Sequence, residues 1–235
     1  MFARNLWLAC CVVGLAIGGC DSSSSSNGTG GAGGAAGSGG SGGTGSATRL
    51  VVTADWLNQS LTLLDYDKLI DGESDGPSAV VDTIDLSEWE PGPIEVEVTP
   101  DGKTAVVSVG PAFFDEATIN LLIGSPEVPP GGTLLIVDLE SGEATEVVVS
   151  DVPLGIAISL DGTTAYTANY GTADGSGDTL SIIDIAAREV IQEITVDGRP
   201  EQVALSPDGT LGVFNVAGSR GGVHIFARHT RTRRS

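Results

Sequence analysis

The chain has 235 residues, of which 31 are Asp or Glu and 11 are Lys or Arg, giving a net charge of −20 at pH 7. A surface that acidic repels phosphate backbones and anionic headgroups, which excludes nucleic acid as a partner through a basic face, and an aromatic content of 5% provides no stacking platform for single strands. A hydrophobic content of 40% still supports a cored domain, and the length beyond residue 48 suits one such domain rather than two.

In chain order, Arg4 is followed by an apolar stretch from Leu6 to Ile17, too short to span a bilayer. It ends in Ile17-Gly18-Gly19-Cys20. Small residues ahead of a cysteine give a processing enzyme access to its backbone, and the segment resembles a bacterial lipobox. The resemblance implies a lipoprotein signal peptide over 1–19, cleavage before Cys20, and diacylglycerol with an added acyl chain such as palmitate at Cys20. Cys10 and Cys11 then leave with the signal, so the mature chain forms no disulfide. The implied location is the bacterial cell envelope, periplasmic or surface-exposed, with the membrane as partner through the anchor.

Residues 20–48 read as the lipidated Cys and a flexible tether, since 11 Gly and 8 Ser lie within 21–48. A coil of that length reaches about 30 Å. Its Gly28–Gly33 and Gly39–Gly43 segments fit a dinucleotide fingerprint and a hydrolase elbow by composition, but no strand–turn–helix pattern surrounds them.

From residue 49 the chain repeats. Pro93 to Val109, Pro153 to Asn169 and Pro200 to Val216 each read as a Pro, an alternating strand, an Asp-Gly turn and a second strand. The Pro precedes Asp101, Asp161 and Asp208 by the same eight residues. Ser60–Asp65, Thr133–Asp138 and Thr179–Asp184 interleave with these as near-continuous apolar runs, the pattern of strands covered on both faces. Val80–Asp85, Ala144–Val149 and Glu189–Val196 follow as more polar outer strands, and no stretch shows a helical period.

Four short strands per unit is propeller-blade grammar, and the stretch from Pro153 to Pro200 resembles a YVTN-type β-propeller repeat. Tyr166-Thr167-Ala168-Asn169 stands at its signature tetrapeptide, with Asp161-Gly162, Thr179–Asp184 and Asp197-Gly198-Arg199-Pro200 at its other landmarks. The expected fold is all-β: a partial propeller of four-stranded antiparallel blades, about three to four of them, over 49–227. The predicted strands are 50–55, 60–66 and 80–85; two complete blades over 94–149 and 154–196; and 201–206, 210–216 and 223–227. Asp65, Asp138 and Asp184 are expected to cap turns. The repeat expects Asp at position 227, where Ala stands, and 228–235 reads as a basic, disordered tail; the expectation is a truncated or shifted reading frame, with an irregular four-bladed ring or an open arc completed by a second chain as the alternatives.

Chemistry-bearing residues are few. The two His, His224 and His229, lie at the C-terminal end, which leaves no place for a His-metal cluster, a Ser-His-Asp triad or a haem ligand. No cofactor is expected. A weak calcium loop is formed by Asp71, Glu73, Asp75 and Asp82, which departs from the loop pattern at its third and twelfth positions. The insertion 110–132 carries Phe113 and Phe114 between the second and third strands of a blade and is a possible recognition loop. Along the inner strands only Glu95, Glu97, Glu201 and Gln202 offer polar groups to a central channel. That is thin for an enzyme. The expected function is therefore a membrane-anchored, exported binding or scaffolding module for a protein or saccharide ligand on the propeller face, with no catalysis. The alternatives are a fragment of a lactonase-like or quinone-dependent dehydrogenase-like propeller enzyme, and an inactive truncated product.

Overall fold

A computed structural model describes residues 49–71, 76–110, 131–171, 177–217 and 221–227. Among these residues fourteen strands form in chain order. They are β1 (Leu50–Asp55), β2 (Ser60–Asp65), β3 (Val80–Asp85), β4 (Pro93–Val98), β5 (Thr104–Val109), β6 (Gly132–Asp138) and β7 (Ala144–Val149). Then come β8 (Pro153–Ile158), β9 (Thr164–Asn169), β10 (Thr179–Asp184), β11 (Glu189–Thr195), β12 (Arg199–Leu205), β13 (Leu211–Ala217) and β14 (Gly222–Ala227). All neighbours are antiparallel, in four sheets: β1-β2-β3, β4-β5-β6-β7, β8-β9-β10-β11 and β12-β13-β14. These are blades 1 to 4 of a partial propeller.

The predicted strands match these to within two residues at each boundary. One local expectation fails. Tyr66, read as strand, opens a five-residue helix, α1 (Tyr66–Ile70). Its cause is Asp65, whose carboxylate accepts from the amides of Asp67 and Lys68 and so caps the first turn. No α1 residue is buried, which is why no helical apolar period marked it.

Register identifies which strand each terminal blade lacks among the described residues. Leu50 pairs with Asp65 as Thr104 pairs with Asp138 and Thr164 with Asp184. Thus β1 corresponds to β5 and β9, and blade 1 has no counterpart of the inner strand β4. Blade 4 has no counterpart of the outer strand β7. Inner strand packs on inner strand from β4 to β8 to β12, while β1 packs on β4; β12 makes no comparable contact with β1. The described residues form an open arc.

Three cores lie between the blades. Val52, Leu61 and Leu63 of blade 1 meet Ala105, Val107, Leu135 and Val137 of blade 2. Val106, Leu134 and Ile136, on the other face of blade 2, meet Ala165 and Ile183 of blade 3. Tyr166, Ala168 and Leu180 meet Val203, Phe214 and Val216 of blade 4. Middle strands are therefore apolar on both faces, as their continuous runs required. Each fully buried Leu or Val contributes about 1.5–3 kcal/mol.

The Asp-Gly turns are built alike. Ser159 Oγ donates to Asp161 Oδ1 at 2.5 Å and accepts from the Thr164 amide at 3.0 Å. Asp161 Oδ1 also accepts from the Thr163 amide, and Gly162 takes φ +71° to close the turn. Thr99 and Asp101, and Ser206 and Asp208, repeat these bonds. Ser159 is fully buried. Ser159→Ala removes the acceptor for the Thr164 amide and is expected to cost about 1–3 kcal/mol. Ser159→Thr, which copies Thr99, should stay within about 1 kcal/mol in the same urea titration. Equal losses for the two would show that the hydroxyl does not hold the turn.

Candidate functional site

The inner strands begin with Pro93, Pro153 and Pro200 at or next to their first residue, where a missing amide on an edge strand costs no ladder bond. Each then shifts register, between Pro93 and Glu95, Pro153 and Ile156, and Pro200 and Val203. A bulge leaves an amide unpaired by the ladder, and side chains take it up. The Glu95 amide donates to Ser108 Oγ at 3.2 Å, and the Gln202 amide to Asn215 Oδ1 at 2.8 Å. Blade 3 has Ala168 at the position of Ser108 and Asn215, with no acceptor to offer. The bond that blade 3 does receive falls one residue beyond the equivalent position Gly155: Glu95 reaches over from the neighbouring inner strand, and its Oε1 accepts from the Ile156 amide at 3.1 Å.

The second oxygen of Glu95 spans further. Gln202 Nε2 donates to Glu95 Oε2 at 2.8 Å, tying blade 2 to blade 4 across blade 3. Gly155 permits this. A Cβ there would stand 2.6 Å from Gln202 Cα, Gln202 Oε1 and Glu201 O. Glu95, Gly155 and Gln202 share one repeat position, six residues before the turn Asp, so the two long polar side chains meet over the one residue without a side chain. Glu201 joins the group through Asn215 Nδ2, at 2.7 Å from its Oε2.

Burial pushes the Glu95 carboxyl above the usual glutamate range, and the donors Gln202 and Ile156 draw it partly back. Glu97, half-buried on the same strand, is raised by burial first and by repulsion from Glu95 second. The carboxylates at the turns go the other way: hydrogen bonds from Ser206 and Thr210 hold Asp208 down at about 2.

The insertion 110–132 leaves from beside this group. Its entry is fixed by Trp56, whose indole Nε1 donates to Gly110 O at 3.1 Å, and by the Gly110 amide on Gly92 O. Its exit at Gly132 lies so close to Asp151 that a Cβ could not fit. Val109 pairs with Pro93 and Ser108 with Glu95, which sets the base of the insertion one residue from the axial carboxylate. A cleft of about 520 Å³ lies at the other end, between the turns of blades 2 and 3, lined by Asp101, Asp138, Asp161 and Arg188. Asp101 accepts from the Thr99 hydroxyl and the Lys103 amide, and Asp138 from the Ser141 amide and hydroxyl, which depresses both carboxyls.

Of the residues singled out from sequence, Cys20, Glu73, Asp75, Phe113 and Phe114 lie outside the described residues. Asp71 is the exposed C-cap of α1, and Asp82 is exposed on β3 with its Oδ1 accepting from the Thr83 amide. Among the described residues no group of three His, Cys, Asp or Glu could hold a metal ion. The structure brings Glu95, Glu201 and Gln202 together, and adds Ser108, Gly155 and Asn215, which sequence reading passed over. Aligning the three inner strands on their turn Asp would have exposed Gly155 opposite Glu95 and Gln202. Asn169 of the tetrapeptide is fully buried and donates to Thr179 and Ser181 at 2.8 Å each, a structural role.

No protein-family model matches the chain, and no curated protein matches it. Among solved structures the chain is similar to the hydrazine synthase of Kuenenia stuttgartiensis, with a TM-score of 0.55 and 22% identity over 76% of this chain. The chain spans about 42% of that structure's length. In all, 852 solved chains match, the breadth of a widely reused architecture, so the likeness speaks for the fold and not for an activity.

Glu97 gives this site a pH signature. A carboxyl raised by folding opposes stability once ionised, so its destabilisation grows as pH rises from the ordinary glutamate value of about 4.3 through the raised folded value. Glu97→Gln is therefore expected to raise the urea midpoint at pH 7 and to leave it nearly unchanged at pH 4. A variant no more stable than wild type at pH 7 would place Glu97 in solvent.

Proposed function

We propose that this chain is an exported, lipid-anchored propeller that acts as a binding module, with its ligand taken at the axial mouth where the inner strands start. The observation that carries the reading is the Glu95–Gln202 bond over Gly155. It builds a partly buried, acidic and strongly preorganised surface from three blades, directly beside the base of the one long insertion. Acceptor-rich carboxylates suit a ligand that presents hydrogen-bond donors, such as a saccharide or a basic protein segment. Both oxygens of Glu95 are already engaged, which favours holding over proton transfer. A propeller-enzyme reading draws support from the raised Glu97 carboxyl, which at neutral pH is nearer to a general acid than an ordinary glutamate.

The anchor rests on the Ile17-Gly18-Gly19-Cys20 segment and on the coil that follows it. No helix among the described residues is long and apolar enough to cross a membrane. Wild-type protein is expected to enter the detergent phase on cloud-point partition and Cys20→Ser to stay aqueous. A mature N-terminus that mass spectrometry finds unmodified, or at another residue, rules the lipoprotein out.

The insertion supplies the second test. Both of its ends are pinned by contacts that do not involve residues 111–130, and loop closure depends weakly on length. Replacing 111–130 by a short Gly-Ser turn should leave the β circular dichroism and the melting midpoint intact while abolishing binding on an oligosaccharide array or cross-linking to envelope proteins. Loss of the β signal would instead make Phe113 and Phe114 part of a core.

A further inference from the structure

Among the described residues no blade covers the far face of blade 4, and the repeat register says what packing that face matches. β14 pairs with β13 as β6 pairs with β5, so Val213, Val223 and Ile225 occupy the positions of Val106, Leu134 and Ile136. In blade 2 those three are 0%, 0% and 3% exposed, covered by blade 3. In blade 4, Val223 is 74% and Ile225 68% exposed, the two most exposed large hydrophobics among the described residues.

The surface that covers Val106, Leu134 and Ile136 is the rear face of blade 3, which carries Ala165 and Thr167 on β9 and Ser181 and Ile183 on β10. Blade 1 presents the same pattern on the face turned away from blade 2. Val51, Thr53, Thr62 and Leu64 occupy the positions of Ala165, Thr167, Ser181 and Ile183. No blade of this chain covers that face among the described residues; Val51 is buried, while Thr53, Thr62 and Leu64 are only half-buried. In a chain of net charge −20, neither set of residues holds a charge. On blade 4 the Glu201 carboxylate is held at the axial rim by Asn215 Nδ2.

We propose that the open face of blade 4 docks on the rear face of blade 1 of a second copy of this chain, head to tail, so that two copies close one eight-bladed ring. The contact reproduces, between chains, the packing that blades 2 and 3 make within one. A head-to-tail contact closes when its rotation does, and two four-bladed arcs give a ring at the upper end of the usual range of about four to eight blades. Area supports two copies. Three strands about 4.8 Å apart, with a rise of about 3.3 Å per residue, offer a flat face of about 300 Å². The four faces buried in the ring then come to about 1,200 Å², the threshold of a stable interface.

The test is sedimentation velocity on the detergent-solubilised full-length chain across the micromolar range. Wild type is expected to sediment as a dimer. The double variant Val223→Glu, Ile225→Glu alters residues already exposed in the single chain, and Thr62→Glu alters the opposite face. Each alone should raise the dimer dissociation constant by more than about tenfold, with unchanged circular dichroism. Mixing the two should bring the dissociation constant below that of either variant alone, because one of the two contacts then joins unaltered faces. A monomeric wild type overturns the proposal. So does a dimer that survives both variants, which the anchor alone would produce, or one that Thr62→Glu leaves intact, which would pair blade 4 with blade 4. An open-ended ladder of oligomers overturns the closed ring.

Discussion

A blade in this chain is apolar on both faces, and three or four strands have no means of covering two faces by themselves. Val106 and Val107 are neighbours on β5, both fully buried, and they point into different cores. Neither blade 2 nor blade 3 can be stable except between its neighbours, so the stability of the arc is a chain of interfaces rather than the sum of independent units. Everything else in the fold answers to that constraint. The Pro-led inner strands, the bulges and the polar groups at the axis are what the sheet edges become once the faces are committed to packing.

The axial group illustrates how a site can arise from structural need. Bulges in β4, β8 and β12 free amides that must find acceptors in a buried place. Blades 2 and 4 supply Ser108 and Asn215 from the adjacent strand. In blade 3 the Ile156 amide, one residue beyond the equivalent position, is taken by Glu95 of the neighbouring inner strand. Burying that carboxylate raises its proton affinity and that of Glu97 beside it. The same bond that satisfies the Ile156 amide thus concentrates acceptor capacity at the mouth of the inner strands, next to the insertion. Among the described residues no buried side-chain nitrogen or oxygen lacks a partner. Glu95 is held through both of its oxygens and Glu201 through one, which is what a preorganised binding surface requires.

The acidic character of the chain divides into two populations with opposite electrostatics. At the turns, Asp85, Asp101, Asp138 and Asp208 accept from amides and hydroxyls, and their carboxyls fall below the ordinary range. Their contribution is present at neutral pH and fades as pH falls through the depressed values. At the axis, Glu95 and Glu97 are raised, so their ionisation works against the fold as pH rises. Acid weakens the turns and relieves the axis, so the two ends of β4, Asp101 on one side and Glu95 and Glu97 on the other, respond to pH in opposite directions.

The sequence alone determined the period, the strand order and the turns, because these rest on local chemistry. Alternation, Asp-Gly φ angles and Pro at an edge leave their mark within a few residues of where they act. It also pointed to Glu95, Glu97, Glu201 and Gln202 as inward polar groups, since repeat alignment places them on inner strands. Tertiary structure alone decided what those groups do. Glu95 lies 107 residues from Gln202, and their bond depends on Gly155 between them, on a bulge in each strand and on the curvature of the arc. α1 escaped the sequence reading because a capped turn that buries nothing leaves no apolar period. The two open faces were invisible as well. Val223 and Ile225 read as ordinary middle-strand residues, and only the arrangement of blades shows that no blade among the described residues stands against them.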